Sequence, residues 1–206
     1  QYNQEIPWDT MDMDFMNLNQ SAHGDREFGH ICSRLRKPRT VVVGYWKEKK
    51  TQEHIAVWAR VAAAVADAKD MLIIRFGDQM NNVAVTDGDK VSAEQVLGYH
   101  VDYCCVSELM EYWKQVAPAD VDALVEEYHK LYKIVPCEAG EEIGKKKIWN
   151  AARAELAIRA CLKAKGAKGF TTNFDDLGSW GDPDADDFVG FDQIPGLASQ
   201  RLMAEG

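Results

Sequence analysis

Apolar residues recur at helical spacing along most of this chain. The exceptions are short β-branched runs that end in glycine and aspartate. From Trp8 to Arg36, Met13, Met16, Ala22, Phe28, Ile31, Cys32 and Leu35 fall loosely on one helical face, which predicts a helix. Asp9 or Asp12 can cap it, Arg34, Arg36 and Lys37 suit the negative end of its dipole, and Pro38 stops it. Val41-Val42-Val43, followed by Gly44-Tyr45-Trp46, predicts a short buried strand. Thr51 to Lys69 is amphipathic, with Ile55, Trp58, Val61, Ala62 and Val65 on the inner face, and Met71 to Phe76 predicts the next strand. This strand–helix–strand order predicts a parallel sheet layered with helices.

Beyond Phe76 the pattern loosens and then recovers. Gly77-Asp78, Asn81-Asn82 and Asp87-Gly88 are turn signals around Val83-Ala84-Val85. A helix is expected from Ser92 to Leu97 with Ser92 as cap, a strand from His100 to Val106, and a helix from Ser107 to Gln115 capped by Ser107. The next helix, Ala119 to Tyr132, carries Val121, Leu124, Val125, Tyr128, Leu131 and Tyr132 inward. Glu141 to Lys165 is the longest, with a stripe of Ile148, Ala152, Leu156 and Ala160, and Gly166 ends it. Gly169 to Asn173 reads as a strand running into the Asp175-Asp176 turn. Gly178 to Asp192 is a Gly/Asp/Pro-rich loop, and Leu197 to Ala204 opens a last helix. Two units result, with a boundary near residue 70, the first of them too short for a complete layered domain.

Charge and cysteine usage narrow the class. The 206 residues carry 24 basic and 33 acidic side chains, a net charge of −9, which disfavours nucleic acid as a partner. The densest basic cluster, Lys145-Lys146-Lys147, follows Glu141 and Glu142 and reads as a solvated helix turn. No apolar run approaches the ~20 residues of a membrane span, and no basic segment followed by an apolar run opens the sequence, so a signal peptide is not expected. Cys32, Cys104, Cys105, Cys137 and Cys161 are odd in number and lack a Cys-x-x-Cys spacing. They fit neither a disulfide framework nor a zinc site, so a reducing, cytoplasmic setting is expected.

Local chemistry is sparse. His23 and His30 lie seven residues apart, on one side of the expected first helix, and their spacing is not that of a metal pair. Arg75 to Met80 and Gly169 to Asp176 are polar strand ends, where α/β folds place ligand groups. Phe174 can pack in a core or wall a sugar site. The run Asp182 to Asp187 lacks the sixth-position glycine and twelfth-position glutamate of a calcium loop, and reads as an acidic surface loop. Nucleotide-binding, hydrolase-elbow and zinc-protease signatures are absent from the sequence.

Taken in order, the runs Pro7–Gly24, Arg26–Gly29, Arg75–Met80, Val83–Val91, Phe170–Leu177 and Pro195–Met203 resemble those of L-arabinose isomerases. The resemblance implies layered, parallel-sheet, Rossmann-like α/β units of the fucose/arabinose isomerase type. Residues 1–70 would be the C-terminal part of the N-terminal domain, and 71–206 a central domain truncated at its end. It implies interconversion of L-arabinose and L-ribulose, with Mn²⁺ on two substrate oxygens and carboxylates moving a proton between C1 and C2 through an enediol. Hexamers of two stacked trimers, with active sites between subunits, are also implied. Gln20 and His23 resemble groups lent to a neighbouring subunit's site, Met80 and Phe174 resemble apolar residues lining it, and His30 is left as structural. The family's metal ligands would lie beyond Gly206 and its first strands ahead of Gln1, so the chain alone is expected to be inactive. A non-catalytic sugar-binding or oligomerisation module on the same scaffold is the alternative expectation.

Overall fold

The computed structural model describes residues 5–173, 175–177 and 196–204. The chain forms two compact units, Gln1–Ala66 and Asp67–Gly206. No helix of the described residues is long and apolar enough to cross a membrane.

In the first unit the single helix expected from Trp8 to Arg36 is two. The helix α1 spans Met13–Asn19, and α2 spans Asp25–Arg34. Asp12, one of the two expected caps, closes α1: its Oδ1 accepts the Phe15 N–H at 2.8 Å. The break falls at Gln20–Gly24, where the chain turns and the Glu27 carboxylate accepts the Gly24 N–H at 2.6 Å. That contact starts α2 afresh, so one loose apolar stripe covers two helices.

The Val41–Val43 strand is not formed. Val41 is 73% and Val43 85% exposed, and among the described residues no strand of this unit pairs with them. Their β-branched character favours extended backbone, but a strand needs a partner. The helix α3 (Lys49–Ala68) forms as expected, yet Ile55, Trp58, Val61 and Val65 stay half exposed. The buried described residues of this unit are Cys32 and Thr51.

The second unit holds the sheet. Strands β1 (Leu72–Phe76), β2 (His100–Cys104) and β3 (Gly169–Thr172) run parallel in the order β2-β1-β3. Phe76 registers with Cys104 on one side and Thr172 on the other, so three strand ends meet there. Helices α4 (Lys90–Leu97), α5 (Val106–Gln115), α6 (Pro118–Leu131), α7 (Glu141–Lys165) and α8 (Gly196–Ala204) complete the described elements, with a 3-10 turn at Ala84–Thr86. The α/β class is as expected, and α7 ends at Gly166, whose N–H reaches the Leu162 and Lys163 carbonyls. Two caps differ from expectation. Asp89 caps α4 by accepting the Ser92 N–H at 2.9 Å, and Cys105 takes the cap position of α5. Asp89 reaches the amide three residues on, which makes Ser92 part of the first turn.

Alternation along β1 sends Ile74 and Phe76 to one face. They pack there with Cys104, with Leu109 and Trp113 of α5, and with Ala154, Ala157, Ile158 and Cys161 of α7. A second cluster joins Val121 and Tyr128 of α6 to Ala152, with Ile148 and Leu156 partly buried beside them. The helix α7 is thus shared between two cores. Its main stripe is Ala154, Ala157, Ile158 and Cys161, mostly small residues that let α5 and α8 approach closely, while Ala160 of the expected stripe is exposed.

Candidate functional site

Gly77, at the end of β1, has φ +79 and donates its N–H to the Cys104 carbonyl at 3.0 Å. This left-handed turn swings Asp78–Asn81 across the end of β3. Each backbone N–H from Asp78 to Asn81 is accepted by a side chain. The Asp78 N–H donates to Asp176 Oδ2, and the Asp78 carbonyl accepts from Asn173 Nδ2. The Gln79 N–H is taken by Asp78 Oδ1 at 2.9 Å and the Met80 N–H by Thr86 Oγ1 at 3.0 Å. Asp175 Oδ2 accepts the Asn81 N–H at 3.1 Å. Asn173 is buried and closes the turn on its own side: it donates to Asp176 Oδ2 at 2.9 Å and accepts the Asp176 N–H at 2.7 Å. Arg75 steadies Asp78 from outside with a 2.8 Å ion pair, and its guanidinium lies 6.0 Å from the Tyr103 ring centroid. Asp175 and Asp176 are therefore engaged as acceptors for main-chain amides.

Of the expected sugar-facing residues, Met80 sits half-buried in this clamped turn. Phe174 lies outside the described residues, as do the loop at 178–192 and the acidic run at 182–187. Gln20 is half-buried just past the end of α1, and its Oε1 accepts the Ala22 N–H at 2.9 Å. His23 follows in the turn before α2, with its side chain 83% exposed and Nδ1 3.7 Å from Glu27 Oε1. His30, expected to be structural, is exposed and lines a cleft of about 810 Å³ together with Gln20, Asp25, Arg26 and Arg39. The clamp residues Asn173, Asp175, Asp176 and Thr86 escaped the sequence reading as a set. The usable signal was two neighbouring parallel strands ending in Gly-Asp and in Asn-x-Asp-Asp.

No described group of three or more His, Cys, Asp or Glu side chains is placed to hold a metal ion. The nearest carboxylates to the strand ends already accept backbone amides. The described residues thus do not fit a metal centre.

Cysteine chemistry at the same strand ends is divided. Cys104 and Cys161 are fully buried with sulfurs 3.9 Å apart, and burial pushes both thiols up. Cys105, just past β2, is held below the ordinary thiol value, chiefly by its 3.1 Å hydrogen bond with Ser107 Oγ. A depressed value keeps the thiolate present as pH falls below the ordinary thiol range. Native alkylation by iodoacetamide, followed by peptide mass spectrometry, should therefore modify Cys105 at a pH where Cys104 and Cys161 stay unmodified. Those two should react only after denaturant is added.

The comparisons with known proteins bear on the whole chain. Residues 1–70 match the L-arabinose isomerase N-terminal domain, and residues 72–206 match the L-arabinose isomerase central domain. The chain belongs to the L-arabinose isomerase family. It is 70% identical over its full length to an L-arabinose isomerase of Bacteroides thetaiotaomicron, covering 40% of that protein. The corresponding protein of Phocaeicola vulgatus is 69% identical, also with 40% covered. That of Thermotoga maritima is 50% identical, with 38% covered. The chain thus spans about two-fifths of the length of these L-arabinose isomerases.

Proposed function

We propose that this chain acts as part of an L-arabinose isomerase, interconverting L-arabinose and L-ribulose by moving a proton between C1 and C2 through an enediol. The observation that carries this reading is the 70% identity over the full length of the chain. In this reading residues 1–70 close the N-terminal α/β domain and residues 71–206 belong to the central one. Gln20, His23, Met80 and Phe174 face the sugar, the first two in the site of a neighbouring subunit of a homo-oligomer, a hexamer in the intact enzyme. The setting is the cytoplasm. In this reading the intact enzyme works with Mn²⁺. Since the described residues do not fit a metal centre, this chain's share is sugar binding and positioning.

The exposure of His23 supports a role outside its own unit, since no core packing explains it. In the intact enzyme, His23→Ala should lower kcat/KM for L-arabinose about 10- to 100-fold, the scale of one lost hydrogen bond to a polar substrate. Mn²⁺ affinity, measured by calorimetry, should stay within about twofold. Unchanged turnover would remove His23 from the site.

A further inference from the structure

We infer that Asp175 and Thr86 are positioning residues that set the sugar-facing wall by fixing the backbone of Met80 and Asn81, and that Asp175 is not an acid–base carboxylate. The inference rests on the functional reading above. It deepens that reading by assigning selectivity to residues outside the expected site.

Met80 sits in a turn without regular secondary structure, so its position is set by what holds the turn. Its own N–H is held by Thr86, whose hydroxyl donates onward to the Val83 carbonyl at 2.7 Å. Thr86 therefore accepts from one strand-end loop position while anchored to the 3-10 turn at Ala84–Thr86. The next amide, Asn81 N–H, is held by Asp175, ninety-four residues away in sequence. Asp175 and Asn173 are also the immediate neighbours of Phe174. Asn173 and Asp175 thus tie the Asp78–Asn81 turn to the end of β3. Loosening these ties should change how closely the wall meets a sugar, which bears on KM and on the choice between sugars of different length.

The test uses the intact enzyme with Asp175→Ala, Asp175→Asn, Thr86→Val and Thr86→Ser. Both Asp175 and Thr86 are exposed, so the truncations leave no buried void. Asp175→Ala and Thr86→Val should each raise KM for L-arabinose about 5- to 20-fold with kcat changed less, the scale of losing one positioning hydrogen bond. Both should also shift the kcat/KM ratio between L-arabinose and the aldohexose of matching C2–C4 configuration. Asp175→Asn and Thr86→Ser keep an oxygen acceptor and should restore both quantities to within about twofold. Amide hydrogen exchange gives a readout independent of activity: protection at Asn81 should be lost in Asp175→Ala and kept in Asp175→Asn. A fall in kcat of about 100-fold or more in Asp175→Asn with KM unchanged would make Asp175 an acid–base group and overturn the inference. Truncations that match the parent in KM and sugar ratio would overturn it as well. A parent enzyme that makes no ribulose from L-arabinose would instead overturn the functional reading, and Asn81 protection would still report the clamp.

Discussion

Glu155→Ala should destabilise the second unit by about 3–5 kcal/mol, the cost of breaking a buried ion pair from one side. Glu155 lies on α7 at 1% exposure between the two cores. Its Oε2 accepts from the Tyr128 hydroxyl at 2.6 Å and from Arg201 Nε at 2.9 Å, and its Oε1 accepts from Arg159 Nη2 at 3.0 Å. Removing it strands a phenol and a guanidinium among apolar neighbours. Arg201 keeps Glu127 at 2.6 Å and the Tyr132 hydroxyl at 3.0 Å, and it stacks 5.0 Å from the Tyr128 ring centroid, so part of its charge stays compensated. That holds the expected loss below that of a bare buried cation. Burial and then the Glu155 hydrogen bond raise the Tyr128 hydroxyl, which stays protonated and needs an acceptor. Urea unfolding followed by tryptophan fluorescence should show a lower midpoint at unchanged m-value. The loosened element would be α8, which Arg201 ties to α6 and α7. A loss under about 1 kcal/mol would show that the network repacks around water.

What the sequence made legible follows the range of the forces. The helix α7 was readable at both ends: it runs from Glu141 to Lys165 as expected, with no proline inside it and Gly166 as its stop. Its stripe was half readable: Ile148, Ala152 and Leu156 face the second core as expected, but the stripe through Ala154, Ala157, Ile158 and Cys161 was missed, since alanines carry little hydropathic contrast and the helix serves two cores at once. The break between α1 and α2 was written in Gly24 followed three residues later by Glu27, a start signal hidden by apolar residues that continue across it. Val41–Val43 shows the opposite failure: local preference was strong, but pairing is a long-range property that no local window contains.

The candidate site divides in the same way. Polar strand ends at Asp78 and Asp176 were visible as places for ligand chemistry. Their mutual engagement was not, because it joins residues about a hundred apart, and only the parallel register of β1 and β3 brings them together. His23 and Gln20 carry no local mark of function. Only the ordered set of motifs singled them out, and the structure adds that His23 stands exposed in the turn before α2.

Gly77→Ala should be the most damaging single change at the strand ends, costing about 2–4 kcal/mol through left-handed strain plus overpacking. A Cβ at Gly77 would stand 2.5 Å from Asp176 Oδ2 and 2.6 Å from its Cβ, on a backbone at φ +79. Neither neighbour yields cheaply. Asp176 is held by the Asp78 N–H, by Asn173 Nδ2 and through its own N–H, so moving it opens the join between β1 and β3. Gly166→Ala supplies the comparison. Its φ is +66 but nothing lies within 4 Å of the added carbon, so it should lose only the conformational part, about 1 kcal/mol. The difference between the two midpoints in urea measures the Asp176 contact alone. Equal losses at both positions would mean that the strand ends separate freely and that the clamp adds nothing to stability. A larger loss at Gly77, accompanied by faster amide exchange at Met80 and Asn81, would tie the stability of the sheet's end to the order of the turn that carries Met80.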